Sequence, residues 1–239
     1  MHPIIAKIGP FTIYSYGIMV AIAFLFGIFI ARREAVRKNI KPDLVYDLGF
    51  YLLIGSIIGA RIYYILFFGL KDFLAEPASI FKVWQGGLAI HGGIFGGIIT
   101  GIIFSNARKI SFWALADLIA PSIILGQAIG RIGCYLNGCC YGMPMMKPLF
   151  GMERHPTQIY ELILDFIGFL LLWDLRKKIR FKGGLFLLYL MTYSVIRIIV
   201  SQFRADNLYL WNTGITLAGL SSLIIFIIAM ALFIRKRHV

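Results

Sequence analysis

The segment Phe112–Leu136, FWALADLIAPSIILGQAIGRIGCYL, contains only two charged residues, Asp117 and Arg131. An α-helix of about 20 apolar residues crosses the hydrocarbon core of a bilayer, so this segment is long enough to span a membrane. Similar apolar runs recur along the 239-residue chain: Ser15–Ala31, Leu44–Phe68, Gly86–Phe104, Ile159–Leu175, Gly184–Gln202 and Thr213–Ile234. Together these runs predict an all-α membrane protein with seven transmembrane helices, which form a single domain over residues 1–239.

Composition also indicates a membrane protein. Hydrophobic residues make up 59% of the chain and charged residues only 15%, a balance that soluble domains do not show. The formal net charge is +13, which in a soluble protein would suggest nucleic-acid binding. In a membrane protein the same charge is explained by basic loops that meet anionic lipid headgroups. We therefore expect membrane lipids, and no nucleic acid, as partners.

The basic residues are distributed unevenly between the predicted loops. Fifteen of the 24 Lys and Arg residues follow the first, third, fifth and seventh runs: Arg32, Arg33, Arg37, Lys38, Lys41, Arg108, Lys109, Arg176, Lys177, Lys178, Arg180, Lys182, Arg235, Lys236 and Arg237. Cytoplasmic loops retain Lys and Arg. The N-terminus is therefore predicted to lie outside and the C-terminus in the cytoplasm.

On this topology, polar residues that are rare in hydrocarbon collect in the outer leaflet. They lie at the outer ends or in the outer halves of the helices: Tyr16, His91, Arg131, Asn137, Arg197 and Arg204. A charge near the bilayer centre costs about 2.5–3.5 kcal/mol, so the arginines need an anionic partner or a water-filled cavity. An outer-leaflet cavity lined by arginines and a histidine would suit an amphiphile with an anionic headgroup. The implied ligand is a phospholipid.

Glycines cluster in the third and fourth runs. Those around His91 predict a break before the helix that would direct backbone N–H groups toward an anion. These are Gly86, Gly87, Gly92 and Gly93. Four other glycines are better explained by close packing of helices through small residues. These are Gly97, Gly101, Gly126 and Gly130.

Several stretches of the chain, taken in order, resemble the signature segments of prolipoprotein diacylglyceryl transferases. The longer ones are VWQGGLAIHGG (Val83–Gly93), GRIG (Gly130–Gly133) with its continuation through Asn137 to Gly142, HPTQIYE (His155–Glu161) and Arg197–Arg204. Two shorter ones are YGIM (Tyr16–Met19) and GAR (Gly59–Arg61). The HGG segment alone would be weakly specific, but the ordered set covers nearly the whole chain.

The resemblance implies a multi-pass transferase of the bacterial inner membrane. Such enzymes move the diacylglyceryl group of phosphatidylglycerol onto the thiol of the lipobox cysteine in the signal peptide of a prolipoprotein. The products are a thioether and glycerol 1-phosphate. Phosphatidylglycerol and the prolipoprotein are thus the expected partners, and neither a cofactor nor a bound metal is expected.

Roles for individual residues follow from this reaction. Arg131 and Arg197 would stabilise the departing phosphate. His91 would act as general base for the substrate thiol, or would only hydrogen-bond to the lipid, and Tyr16 would bind the headgroup or relay a proton. Headgroup binding is also assigned to a further group: Arg131, Asn137, Gly142, Arg204 and Arg61.

Two charged residues have structural alternatives. Arg61 can snorkel toward the interface or pair with Asp47 or Asp117 instead of binding lipid. Glu161 is expected to hold a buried arginine.

The segment from His155 to Gln158 is expected to shape the start of the fifth helix.

The chain departs from the family pattern at three positions. Cys134 stands where an Asn is common, Cys139 where an acidic residue is common, and Ser201 where a Glu is common. The acidic complement of the site is thereby reduced.

The only cysteines of the chain, Cys134, Cys139 and Cys140, lie in one outward-facing segment. They could pack or form a disulfide at an oxidising surface. One of them could be a reactive thiol. Together with His155 they could bind zinc, although their spacing matches no standard ligand pattern.

Two other functions stay open from the sequence. A diverged member of the family would transfer a lipid group to a different acceptor, with a site cysteine as one route. A phospholipid-binding or transport protein would use the same cavity without catalysis.

Overall fold

The computed structural model describes residues 2–8, 11–83, 86–149, 151–210 and 213–237, and these are mostly helical. In this part of the chain eight α-helices are present: α1 Ser15–Arg37, α2 Asp43–Phe67, α3 Leu70–Ala75, α4 Ile90–Ala107, α5 Phe112–Asn137, α6 Thr157–Leu175, α7 Gly184–Ser201 and α8 Leu217–Arg237. All helices except the short α3 correspond to the predicted apolar runs. An apolar run long enough to cross the bilayer forms a helix over most of its length, so the run locates the helix. Trp84 and Gln85 of the VWQGGLAIHGG segment lie outside the described residues.

Two short antiparallel hairpins depart from the all-α prediction. The first pairs β1 (Ile4–Ile8) with β2 (Phe11–Tyr14), and the second pairs β3 (Pro144–Leu149) with β4 (Met152–Arg154). β1 and β2 are rich in Ile, Phe, Thr and Tyr, which favour strands. Pairing satisfies backbone polar groups in segments that are not helical.

Six of the helices are long and apolar enough to cross a membrane: α1, α2, α4, α5, α7 and α8. The protein is therefore a multi-pass membrane protein by helix length and composition. α6 has 19 residues, but it carries three carboxylates, Glu161, Asp165 and Asp174. Because of these charges α6 is not among the six apolar helices, although it coincides with the predicted fifth run.

The chain divides into two compact units, and the first comprises Met1–Ala31 with Ala116–Val239. Its core is formed by apolar residues of α5, α6 and α7, among them Ile124, Leu172 and Leu185. The start of α7 is fixed by Asp117 of α5, whose carboxylate accepts hydrogen bonds from the backbone N–H groups of Gly183 and Phe186 at 2.7 and 2.9 Å. A buried carboxylate at a helix N-terminus is stabilised by those free N–H groups.

The second unit, Arg32–Leu115, is built on close contact between α2 and α4. An added Cβ at Gly59 would lie 2.8 Å from the Cα of Gly96, and one at Gly92 would overlap the carbonyl oxygen of Gly59. Close backbone packing thus involves Gly59, Gly92 and Gly96, none of which is among the glycines expected from the sequence to pack. At Gly130, which was expected to pack, an added Cβ would meet no atom of the described residues within 4 Å.

Candidate active site

A buried carboxylate, Glu161, organises three arginines of the first unit. Arg131 on α5 donates from Nη2 to Glu161 Oε1. On α7, Arg197 Nη1 lies 3.7 Å from Glu161 Oε2, and after α7, Arg204 Nη1 lies 3.6 Å from the same oxygen. The Glu161 side chain is fully buried. The prediction that Glu161 holds a buried arginine is confirmed, and these four residues are called the arginine cluster below.

Sequence reasoning missed a second carboxylate, Asp206, which holds Arg204. Arg204 Nε and Nη2 donate to the two carboxylate oxygens of Asp206 at 2.8 and 2.5 Å, a bidentate geometry. These bonds lower the pKa of Asp206 below its ordinary value, because they stabilise the charged carboxylate. The signal that could have identified Asp206 is an opposite charge two residues after Arg204.

The arginine cluster retains capacity to bind an anion. Among the described residues, its three guanidinium groups contact two carboxylates, Glu161 and Asp206. Arg197 Nη1 is buried and has no hydrogen-bond partner among the described residues. The side chains of Arg131 and Arg197 are still 18% and 22% exposed, so both are partly accessible. Arg204, only 7% exposed, is held more deeply.

An apolar cavity of about 370 Å³ lies between α6 and α7. Its walls come from residues close in sequence to Glu161, Arg197 and Arg204, namely His155, Tyr160, Ile163, Leu164, Ile199, Val200 and Phe203. His155 Nδ1 lies 3.3 Å from the hydroxyl of Tyr160. A mostly apolar cavity of this kind suits an acyl chain.

Hydrogen bonds from the start of α6 fix the position of Glu161. The hydroxyl of Thr157 donates to the carbonyl oxygen of Cys140 at 2.7 Å, and Gln158 Nε2 donates to that of Cys139 at 2.6 Å. Both donors are buried. The prediction that this segment shapes the start of the helix is confirmed.

Gly142 lies where three segments meet. Its N–H donates to the carbonyl oxygen of His155 at 3.0 Å, and the next N–H, that of Met143, donates to Phe203 at 2.8 Å. An added Cβ at Gly142 would lie 2.6 Å from the His155 carbonyl oxygen and 2.7 Å from that of Phe203. Gly142 therefore permits a close backbone crossing, and its predicted headgroup contact stays a prediction.

The three cysteines are brought together, and they are called the cysteine triad below. Their sulfur atoms all lie within 4.8 Å of one another, and each thiol is free. The pKa of Cys140 is lowered from its ordinary value by a hydrogen bond from Cys134 and by the guanidinium of Arg204, although burial opposes this. Burial raises the pKa of Cys139.

Tyr16 and Asn137 flank the same end of α5. An added Cβ at Gly133 would lie 3.1 Å from Tyr16 Cδ2, so the Tyr16 ring lies against α5 two residues from Arg131. Asn137 is the last residue of α5, and its side chain is exposed.

Arg61 and His91 belong to the second unit. Arg61 donates to the carbonyl oxygens of Ile80 at 3.2 Å, Gly86 at 2.7 Å and Gly87 at 3.0 Å, as well as to Ser79. The pairing with Asp47 or Asp117 is wrong, because backbone carbonyls ahead of α4 take the guanidinium donors instead. A lipid role for Arg61 stays a prediction.

His91 is the second residue of α4. It is exposed, and its ring centroid lies 6.1 Å from that of Tyr63. Gly86 and Gly87 have φ values of +93° and +73°, which confirms the predicted break before the helix.

Comparison with known proteins identifies the family. The family model for prolipoprotein diacylglyceryl transferase matches residues 3–235. The chain belongs to the prolipoprotein diacylglyceryl transferase family. Relatives named phosphatidylglycerol–prolipoprotein diacylglyceryl transferase include proteins from Trichormus variabilis, 40% identical over 98% of this chain and 91% of the relative, and Bacillus velezensis, 37% identical over 99% and 93%. A Staphylococcus aureus relative is 35% identical over 99% and 90%.

One departure from the pattern of this transferase family is explained by the structure. Ser201, in the place of a common Glu, is fully buried. Its hydroxyl donates to Ile198 at 2.8 Å, and its carbonyl oxygen accepts from Asn207 Nδ2 at 2.5 Å. Carboxylate contacts to Arg204 come instead from Glu161 and Asp206.

Proposed function

We propose that this protein transfers the diacylglyceryl group of phosphatidylglycerol to the lipobox cysteine of prolipoproteins. Family membership supports the reaction class. The observation that carries the proposal is the arginine cluster, in which the buried donor Arg197 Nη1 lacks a hydrogen-bond partner among the described residues. Such a donor would be satisfied by a phosphate oxygen.

In this reaction the substrate thiolate attacks the glyceryl carbon that carries the phosphate. A carbon–sulfur bond forms, the carbon–oxygen bond breaks, and the electron pair stays on the phosphate of glycerol 1-phosphate. Arg131 and Arg197, the more exposed arginines, would bind the phosphate as this charge develops. Arg204, held by two carboxylates, would position the cluster. His91 would accept the thiol proton.

The remaining residues have supporting roles in this proposal. Tyr16 and Asn137, at the outer end of α5, would contact the glycerol headgroup. Gly142 would act mainly by letting the segments beside the cluster approach closely. Arg61 would act by holding the segment that precedes α4 and His91.

The proposal includes α6 as a seventh span. At 1.5 Å per residue, its 19 residues are about 28 Å long, close to the thickness of the hydrocarbon core. Glu161 and Asp165 are buried within the protein, which is how acidic residues are tolerated in spans. With the N-terminus outside, the seven spans form one domain in the inner membrane, and the arginine cluster faces the outer leaflet.

Transfer through a site cysteine is disfavoured by its own chemistry. A diacylglyceryl group on Cys140 would be held by a thioether bond. An alkyl thiolate is a poor leaving group from saturated carbon, so this adduct would trap the lipid rather than pass it on.

The test is to incubate the purified protein with phosphatidylglycerol and a lipobox peptide. Mass spectrometry should show the peptide heavier by one diacylglyceryl group, with equimolar glycerol 1-phosphate. A matched peptide with Ser in place of the lipobox Cys should give neither product. Lipid binding without either product would support a binding protein, and modification of a different acceptor would support the diverged enzyme.

A further inference from the structure

The cysteine triad is not required by the transfer reaction. Cys134 lies in the last turn of α5, and Cys139 and Cys140 follow that helix. The three sulfur atoms meet within 4.8 Å, and no His, Asp or Glu of the described residues completes a larger group with them. His155, the fourth ligand considered from the sequence, contacts Tyr160 instead.

The backbone holds the triad in this arrangement. The N–H of Cys139 donates to the carbonyl oxygen of Cys134 at 3.1 Å. Gly138 and Cys140 have φ values of +74° and +63°, and the left-handed conformation is unfavourable for a residue with a Cβ, such as Cys140. The carbonyl oxygens of Cys139 and Cys140 are anchored by buried donors of α6. The sulfur atoms are therefore gathered before any ligand binds.

This geometry fits a metal ion with soft ligands. Metal–thiolate bonds of about 2.3 Å place three sulfur ligands about 3.8–4.0 Å apart, so the triad needs to contract by less than about 1 Å. Arg131 Nη1 lies 3.9 Å from Cys134 Sγ, and Arg204 contacts Cys140. These two guanidinium groups would offset the negative charge of three thiolates.

We propose that Cys134, Cys139 and Cys140 form a three-sulfur binding site for a thiophilic d¹⁰ cation, Zn²⁺ or Cu⁺. Thiolate ligands select such ions. Because the site joins the end of α5 to the anchors of α6, an ion bound there would stabilise the segment that carries Arg131. The inference is independent of the proposed transfer reaction.

The experiment uses the full chain, purified in detergent with reduced thiols and stripped of metal. Zn²⁺ is titrated against a chromophoric chelator, and Cu⁺ against a Cu⁺-specific one. We expect one ion per chain for at least one of these metals, and a sulfur-to-metal charge-transfer band on addition of Cd²⁺. Single Cys→Ser variants should bind at least about tenfold more weakly. Met146→Ser, which removes a fully exposed sulfur, should bind as the wild type does.

Thermal unfolding provides a second readout. The ion should raise the melting temperature of the wild type and of Met146→Ser, because binding to the folded state stabilises it. It should not raise that of Cys140→Ser, which keeps the buried Cys134. Equal binding and equal stabilisation in the wild type and the Cys→Ser variants would overturn the proposal. So would a protein that, before reduction, shows one free thiol of three under denaturing conditions, because that result indicates a disulfide.

Discussion

Arg197 is the residue with the clearest unused binding capacity. Its Nη1 atom is buried without a hydrogen-bond partner in the described residues. Arg197→Lys keeps the charge but loses the planar donor geometry, so we expect kcat/KM to fall about 100- to 1,000-fold, as for loss of one donor at an oxyanion site.

The same assay applies to Arg131→Lys, with the same expected loss. Arg154→Lys is the matched control, because Arg154 is exposed and lies over the Tyr141 ring. Transfer rates near wild type in both cluster variants would exclude the two arginines from the chemistry.

Glu161 stabilises the protein by compensating buried positive charge. Glu161→Gln removes the shared anion from Arg131, Arg197 and Arg204, and loss of one partner of a buried ion pair typically costs about 3–5 kcal/mol. We expect a large fall in melting temperature. Asp174→Asn on the same helix is the control, because its pair with Lys178 is exposed and exposed pairs contribute little to stability. Equal melting temperatures in the two variants would contradict this role.

Asp206 makes the end of α7 sensitive to acid. Its pKa is lowered by the Arg204 hydrogen bonds, so its contribution to stability is present above the unfolded pKa of about 3.9 and is lost as pH falls through the lower folded value. The melting temperatures of wild type and Asp206→Asn should therefore differ near neutral pH and converge below about pH 4. Asp72→Asn, at an exposed carboxylate, is the control. A difference that persists undiminished to pH 3 would contradict the assignment.

At the scale of elements, the contact between α2 and α4 depends on glycines, which have no side chain to hold the two helices apart. Gly92→Ala would place a Cβ against the backbone of Gly59, and overpacking of this kind costs about 1–3 kcal/mol. Gly126→Ala is the control, because its nearest described contact would be Ala23 Cβ at an ordinary 4.0 Å. We expect a lower melting temperature for Gly92→Ala alone, and equal values would argue against a tight α2–α4 contact.

Whole-molecule topology is testable with reporter fusions. Fusions after Lys41, Arg108 and Lys178 should report a cytoplasmic location, and those at Lys71 and Lys147 an external one, because the basic residues are biased consistently. A fusion after Arg237 should again be cytoplasmic. An external signal at Lys178 would show that α6 does not cross the membrane.

The sequence by itself determined where the helices lie. The bilayer sets a minimum length for an apolar run, so the start of α5 at Phe112 and of α7 at Gly184 were both predicted to the residue. The sequence also indicated Arg131 and Arg197, because a charge in an apolar run requires compensation. The short hairpins were not predicted, because a few residues of strand-forming type give too little pattern.

Only the tertiary structure showed how the site is assembled. Arg131, Glu161 and Arg197 come from three helices, and no local pattern specifies which faces of those helices meet. The Arg197 Nη1 atom, which lacks a hydrogen bond among the described residues, and the bidentate Asp206 contact are likewise results of packing. The sulfur atoms of Cys134 and Cys140 meet because left-handed backbone after α5 turns the chain back. Periodicity and composition report what each segment can bury, whereas side-chain contacts depend on where segments cross.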